Sequence, residues 1–147
     1  MVEMMEKTAR PVQVFLVEDN MADVFLIERA LKSHPRLMGL TLARDGEEAL
    51  DYLKGRGAFE EPNRPDIILL DLSIPKKSGH EVLAEIRADH ALDEIPIIVL
   101  TNSNSEADIS KAYDNHANFY ITKPQDLNDL HTAIHHIENV WLKEIPR

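Results

Sequence analysis

Asp66-Ile67-Ile68-Leu69-Leu70-Asp71 sets four apolar residues between two acids, with Asp71 at the carboxyl end. A run this short and unbroken reads as a strand buried on both faces, the kind that parallel sheets contain. Three further runs match it. Val12-Gln13-Val14-Phe15-Leu16-Val17 is followed by Glu18-Asp19, Ile97-Ile98-Val99-Leu100 by Thr101, and Phe119-Tyr120-Ile121 by Thr122-Lys123-Pro124. In a parallel sheet the carboxyl ends of the strands open on one edge, where ligands collect. Carboxylates far apart in sequence are therefore expected to meet a hydroxyl and an ammonium in one pocket.

Helical patterns separate the strands. Residues 22–33 carry Val24, Ile27, Ala30 and Leu31 at helical spacing, with Asn20 placed to cap them and His34-Pro35 to end them. A weaker strand, Leu40-Thr41-Leu42-Ala43, turns through Asp45-Gly46 into a helix with Ala49, Leu50 and Leu53, which Gly55-Arg56-Gly57 breaks. Further helices are expected around Val82, Leu83 and Ile86, from a cap at Ser105 to about His116, and from about Asp126 onward, with the last strand over Ala117–Ile121 between the latter two. The last helix keeps apolar residues at Leu127, Leu130, Ile134, Ile137, Trp141 and Ile145. Five alternations of this length predict one doubly wound α/β domain with right-handed crossovers. Residues 1–10 read as a flexible tail, 11–137 as the domain, and 138–147 as an extension of the last helix. No output domain is expected.

Composition narrows the function. The chain has 147 residues, 44% hydrophobic and 29% charged, enough for one core. A net charge of -10 argues against nucleic acid or an anionic membrane as a partner, since phosphate binding needs a basic face. The absence of cysteine excludes disulfides and thiolate chemistry, and fits a cytoplasmic location. No apolar stretch approaches the roughly 18 residues of a membrane span, and no signal-peptide core is visible.

On these residues the chain resembles the receiver domains of two-component response regulators, from about Val12 to Ile137. Glu18-Asp19 resembles the family's acidic pair, Asp71 its phospho-accepting aspartate, and Thr101 its switch hydroxyl. Tyr120-Ile121-Thr122-Lys123-Pro124 resembles the aromatic switch and the lysine-proline pair, and Pro75 and Gly79 match the loop after the aspartate. The resemblance implies a flavodoxin-like (βα)5 fold with strand order 2-1-3-4-5. A narrower resemblance, to the small stand-alone response regulators paired with cyanobacterial and bacterial phytochrome kinases, rests on residues 72–86 and on Ile137-Glu138-Asn139-Val140-Trp141-Leu142. It implies a light-sensing histidine kinase as partner and an extended last helix.

What the resemblance implies chemically is specific. Asp71 would attack the phosphorus of a kinase phosphohistidine. Mg2+ would relieve the repulsion between anions, held by Asp19, Asp71 and the backbone carbonyl of Ser73, with Glu18 acting through water. Lys123 would pair with the phosphoryl oxygens. Thr101 would move toward them, freeing a space into which Tyr120 turns from solvent. Asn102 and Ser73 depart from the family's commonest pattern, and by the resemblance both should border the path of hydrolytic water.

Blander readings apply to other features. A Glu-Asp after a strand can be a helix-start cap, and Tyr120 can be packing alone. His131 and His135 have metal-ligand spacing, but a solvated face is the plainer reading. Lys76-Lys77 reads as loop surface near the pocket. Trp141 and Ile145 continue the apolar stripe and point to a homodimer through residues 105–147. Rival functions are a degenerate receiver acting as a scaffold and an aspartyl-nucleophile phosphatase. The phosphatase wants a second aspartate where Ser73 stands. The chain is thus expected to be a phosphoacceptor rather than an enzyme, signalling to another, unidentified protein.

Overall fold

A computed structural model of the chain describes residues 12–33 and 39–123, together with the helical positions Thr132, His135 and Asn139. Strands β1 (Gln13–Val17), β2 (Gly39–Ala43), β3 (Ile67–Leu70), β4 (Ile97–Thr101) and β5 (Phe119–Thr122) alternate with helices α1 (Met21–Lys32), α2 (Gly46–Lys54), α3 (Gly79–Ala88) and α4 (Glu106–Asp114). The five strands form one parallel sheet in the order 2-1-3-4-5. The last helix, with Leu127, Leu130, Ile134, Ile137, Trp141 and Ile145, lies outside the described residues apart from the three positions named above.

Strand side chains alternate between faces, so each central strand feeds two cores. Val14, Leu16, Ile67, Leu69, Ile98 and Leu100 pack with Val24, Ile27, Ala30 and Leu31 of α1 on one face. On the other face, Phe15, Val17, Ile68, Leu70, Ile97 and Val99 pack against α2, α3 and Ala112 of α4. This explains the unbroken apolar runs: β3 and β4 are buried at every position. The same expectation does not hold for β5, which is half-buried to exposed because it is an edge strand with a neighbour on one side only.

Local chemistry sets most helix ends. Asn20, Asp45, Ser78 and Ser105 cap the four helices through side-chain oxygens, and Ser78 shares a capping box with Glu81. Gly55 stops α2 in the left-handed conformation, at φ 69°. The helix expected to reach His116 ends at Asp114, and the strand expected from Ala117 begins at Phe119. The intervening residues are occupied in closing the turn. Ala117 N–H donates to the Ala112 carbonyl, and Asn118 exchanges bonds with Ile97 through both its backbone N–H and its Oδ1.

Candidate functional site

The parallel register brings the polar residues after the strands to one edge. Val17 lies opposite Leu70, Leu70 opposite Val99, and Thr101 opposite Thr122. Glu18, Asp71 and Thr101 are all buried, at 1%, 5% and 1% exposure, and they are the polar residues so enclosed among the described residues. Backbone bonds hold the strand ends together: Asp71 N–H donates to the Val17 carbonyl at 3.1 Å, and Lys123 N–H to the Thr101 carbonyl at 2.7 Å.

Lys123 lies at the centre. Its Nζ is 2.9 Å from Asp71 Oδ2 and 2.8 Å from Asp23 Oδ2, and it also contacts Glu18 Oε1. Oxygens of Glu18, Asp19 and Asp71 lie within 4.8 Å of one another. The predicted set therefore does converge. Glu18 Oε2 also accepts from the backbone N–H groups of Asp19 and Asn20, at 3.1 and 3.2 Å. Asp71 Oδ1 accepts from Ser73 N–H at 3.2 Å. Gly79 is required here, because a Cβ on it would lie 2.4 Å from the Asp71 carbonyl oxygen.

Crowding divides the charge between the two buried acids. Burial, aided by Asp71, raises the Glu18 pKa from 4.5 to about 7 against the pull of Lys123. Burial acts upward on Asp71 too, but hydrogen bonds from Glu18, Thr101 and Lys123 outweigh it and lower its pKa. Asp71 is thus held as the anion while Glu18 readily keeps a proton. Burial acts downward on Lys123, yet Asp23, Glu18 and Asp71 together raise it. A compact set of hard oxygen donors, with one acid poised to exchange its proton, suits a divalent cation.

A second network adjoins the first. Tyr120 is half-buried and its hydroxyl donates to the Ser103 carbonyl at 2.7 Å, just beyond Thr101. In this structure Tyr120 is thus already tied to the loop after β4, where the expectation placed it turning in from solvent. Ser103 Oγ donates to Asp108 Oδ2 at 2.5 Å, and His80 Nε2 meets Asp108 Oδ1 at 3.0 Å. The Ser103 bond and then His80 lower the Asp108 pKa. Lys76 pairs with Asp45 and Glu47 at 3.6 and 3.8 Å and Lys77 with Glu85 at 2.6 Å, so this loop surface already has acidic partners. His135 is an exposed helical residue, as expected for a solvated face, while His131 lies outside the described residues.

Sequence reasoning missed Asp23 and the His80–Asp108 pair. The signal for Asp23 was its place four residues after Asp19, in the first turn of a helix starting at the sheet edge. Nothing local could have found His80–Asp108, which are separated by 28 residues.

Known proteins agree with this geometry. The response regulator receiver domain model matches residues 14–135. Response regulator Rcp1 of Synechocystis sp. is 41% identical over 142 residues, covering 97% of each chain. The crystal structure of the phosphorylated cyanobacterial phytochrome response regulator RcpA superposes with a TM-score of 0.83 at 47% identity, over 90% of this chain and 94% of that one. The Mn2+-bound form of Rcp1 also gives 0.83, at 42% identity over 93% of this chain and 100% of that one. With the sheet order, the acidic pocket and these likenesses in agreement, the chain belongs to the response regulator receiver domain family, among relatives that serve phytochromes.

Proposed function

We propose that this chain is a single-domain response regulator that accepts a phosphoryl group on Asp71 from a phytochrome-type sensor histidine kinase. One observation carries the reading: a buried, anionic Asp71 with Lys123 Nζ 2.9 Å away and two further carboxylates within 4.8 Å. An Asp71 oxygen attacks phosphorus as the P–N bond of a phosphohistidine breaks, and the imidazole nitrogen keeps the electron pair and takes a proton. Lys123 pairs with the oxygens that gain charge in the transition state. Asp19, Asp71 and the Ser73 carbonyl would hold Mg2+ directly and Glu18 through water, and the bound ion would offset the repulsion between carboxylate and phosphoryl group.

Thr101 and Tyr120 form the proposed switch. Thr101 already interacts with Asp71, and Tyr120 holds the loop two residues beyond it. A phosphoryl group adds about two negative charges, enough to bias a two-state packing of α4 and β5. Exposed Met21, Phe25 and Leu26 on α1, next to Asp19 in the chain, are apolar surface of the kind a protein partner covers. We also propose a cytoplasmic setting, signalling through an unidentified protein rather than substrate turnover, and a homodimer through residues 105–147, of which the stretch after Lys123 lies outside the described residues apart from Thr132, His135 and Asn139.

The test is incubation with a small phosphodonor and Mg2+, followed by intact mass. A gain of one phosphoryl group that is lost in Asp71→Asn is the expected result. Labelling on a histidine would overturn the reading.

A further inference from the structure

We infer that Asp23 is a positioning residue that anchors the Lys123 ammonium while the other carboxylates of the pocket change partners. The inference rests on the phosphoacceptor reading of Asp71. Lys123 Nζ touches three carboxylates, of Glu18, Asp23 and Asp71. Glu18 and Asp71 belong to the oxygen cluster that suits a divalent cation, and Asp23 does not. Glu18 and Asp71 would be drawn on by a bound cation, and phosphorylation would convert the Asp71 carboxylate to an acyl phosphate with no free charge on the carboxyl. Of the three, Asp23 alone keeps both its charge and its place through these events.

The local structure suits that task. Asp23 stands in the first turn of α1, where its N–H donates to Asn20 Oδ1 at 3.1 Å and Val24 N–H donates to the Asn20 carbonyl at 3.0 Å. Its carboxylate is thus mounted on a capped helix, which fixes the backbone that carries it. Its side chain is 27% exposed against 7% for Lys123, so it approaches the ammonium from the solvent side of the pocket. A lysine stem has four rotatable bonds, and without a fixed counter-charge its head samples many positions. Reaction rate falls steeply when a charge-stabilising group is misplaced by about 1 Å. An acid in a first helical turn also favours the helix dipole, and that structural duty predicts no special link to Lys123.

The experiment compares the full chain with Asp23→Asn and Asp23→Glu, measuring the rate of phosphoryl gain on Asp71 from a small phosphodonor at saturating Mg2+. The Lys123 Nζ resonance is followed by nitrogen-15 NMR in the Mg2+-loaded proteins. Asp23→Asn should slow labelling by about tenfold and Asp23→Glu should recover most of it, with Mg2+ half-saturation and thermal midpoint near wild type. The Nζ resonance should be sharp in wild type and broadened in Asp23→Asn. Wild-type labelling rates in Asp23→Asn, or an Nζ resonance indifferent to the substitution, would overturn the anchoring. Wild-type protein that takes up no phosphoryl group would instead sink the phosphoacceptor reading itself.

Discussion

The pocket at the ends of β1 and β3 and the α4–β5 region share one edge of the sheet but are held in different ways. Around the pocket, every residue of β3 is buried, and α3 buries Gly79, Val82, Leu83 and Ile86. Across the edge, α4 buries Ala112 alone, and β5 is half-buried to exposed. The pocket is bound by charge in a closed environment. The neighbouring region buries less: β5 pairs with β4 and packs Phe119, Tyr120 and Ile121 only in part, and hydrogen bonds run from Tyr120 to Ser103 and from Ser103 and His80 to Asp108. Elements with little buried apolar surface open and shift at low cost. The two buried acids therefore sit on the rigid part of the molecule, whereas the readout, and Lys123 at the end of β5, sit on the part that can move.

The largest effect should separate the two helices. Leu83→Ala in α3 removes a fully buried side chain and should cost about 3 kcal/mol in urea unfolding, whereas the half-buried Ile109→Ala in α4 should cost about 1 kcal/mol. Equal losses would erase the proposed contrast.

Next in size is a pH effect confined to the pocket. Glu18 titrates near 7, above its ordinary 4.5. In the metal-free protein its contribution to stability is full below about 4.5 and is lost as pH rises through about 7. Divalent cations need the carboxylate, so their affinity moves the other way. Mn2+ or Mg2+ binding should weaken by up to about tenfold per unit below pH 7, read by calorimetric titration. Affinity that stays flat from pH 7.5 to 5.5 would contradict the raised Glu18.

The smallest effect belongs to the soft side. Tyr120→Phe removes the bond to the Ser103 carbonyl, at a cost of about 1 kcal/mol or less. It should leave phosphoryl uptake on Asp71 near wild type while raising hydrogen exchange in residues 103–114. A large fall in uptake would mean that the two regions are not separable.

Much of this was legible beforehand, where the signal is local. Apolar runs ending in Glu18, Asp71 and Thr101 announced buried strands, and Asn20 and Ser105 announced helix starts, because a cap bonds three residues along its own chain. Boundaries near His116 and Ala117 were misjudged because Arg87 and Ile97, distant in the chain, take part in fixing them. Arg87 donates to the carbonyls of His116, Asp93 and Ile95 and to Asn118 Oδ1. That brace ties α3 to the turn after α4, and no window of sequence contains both ends of it.

From its sequence alone, this protein's alternation of strands and helices, and the acids, hydroxyl and lysine that follow the strands, could be read. Periodicity and capping act within a few residues and leave a visible trace in the order of side chains. Only the tertiary structure decided that Asp23, 100 positions away, grips Lys123, that burial raises Glu18 while its neighbours lower Asp71, and that Tyr120 is tied to Ser103. These depend on distances of a few ångströms across the sheet edge, and on burial that strengthens every charge there, which chain order does not encode locally.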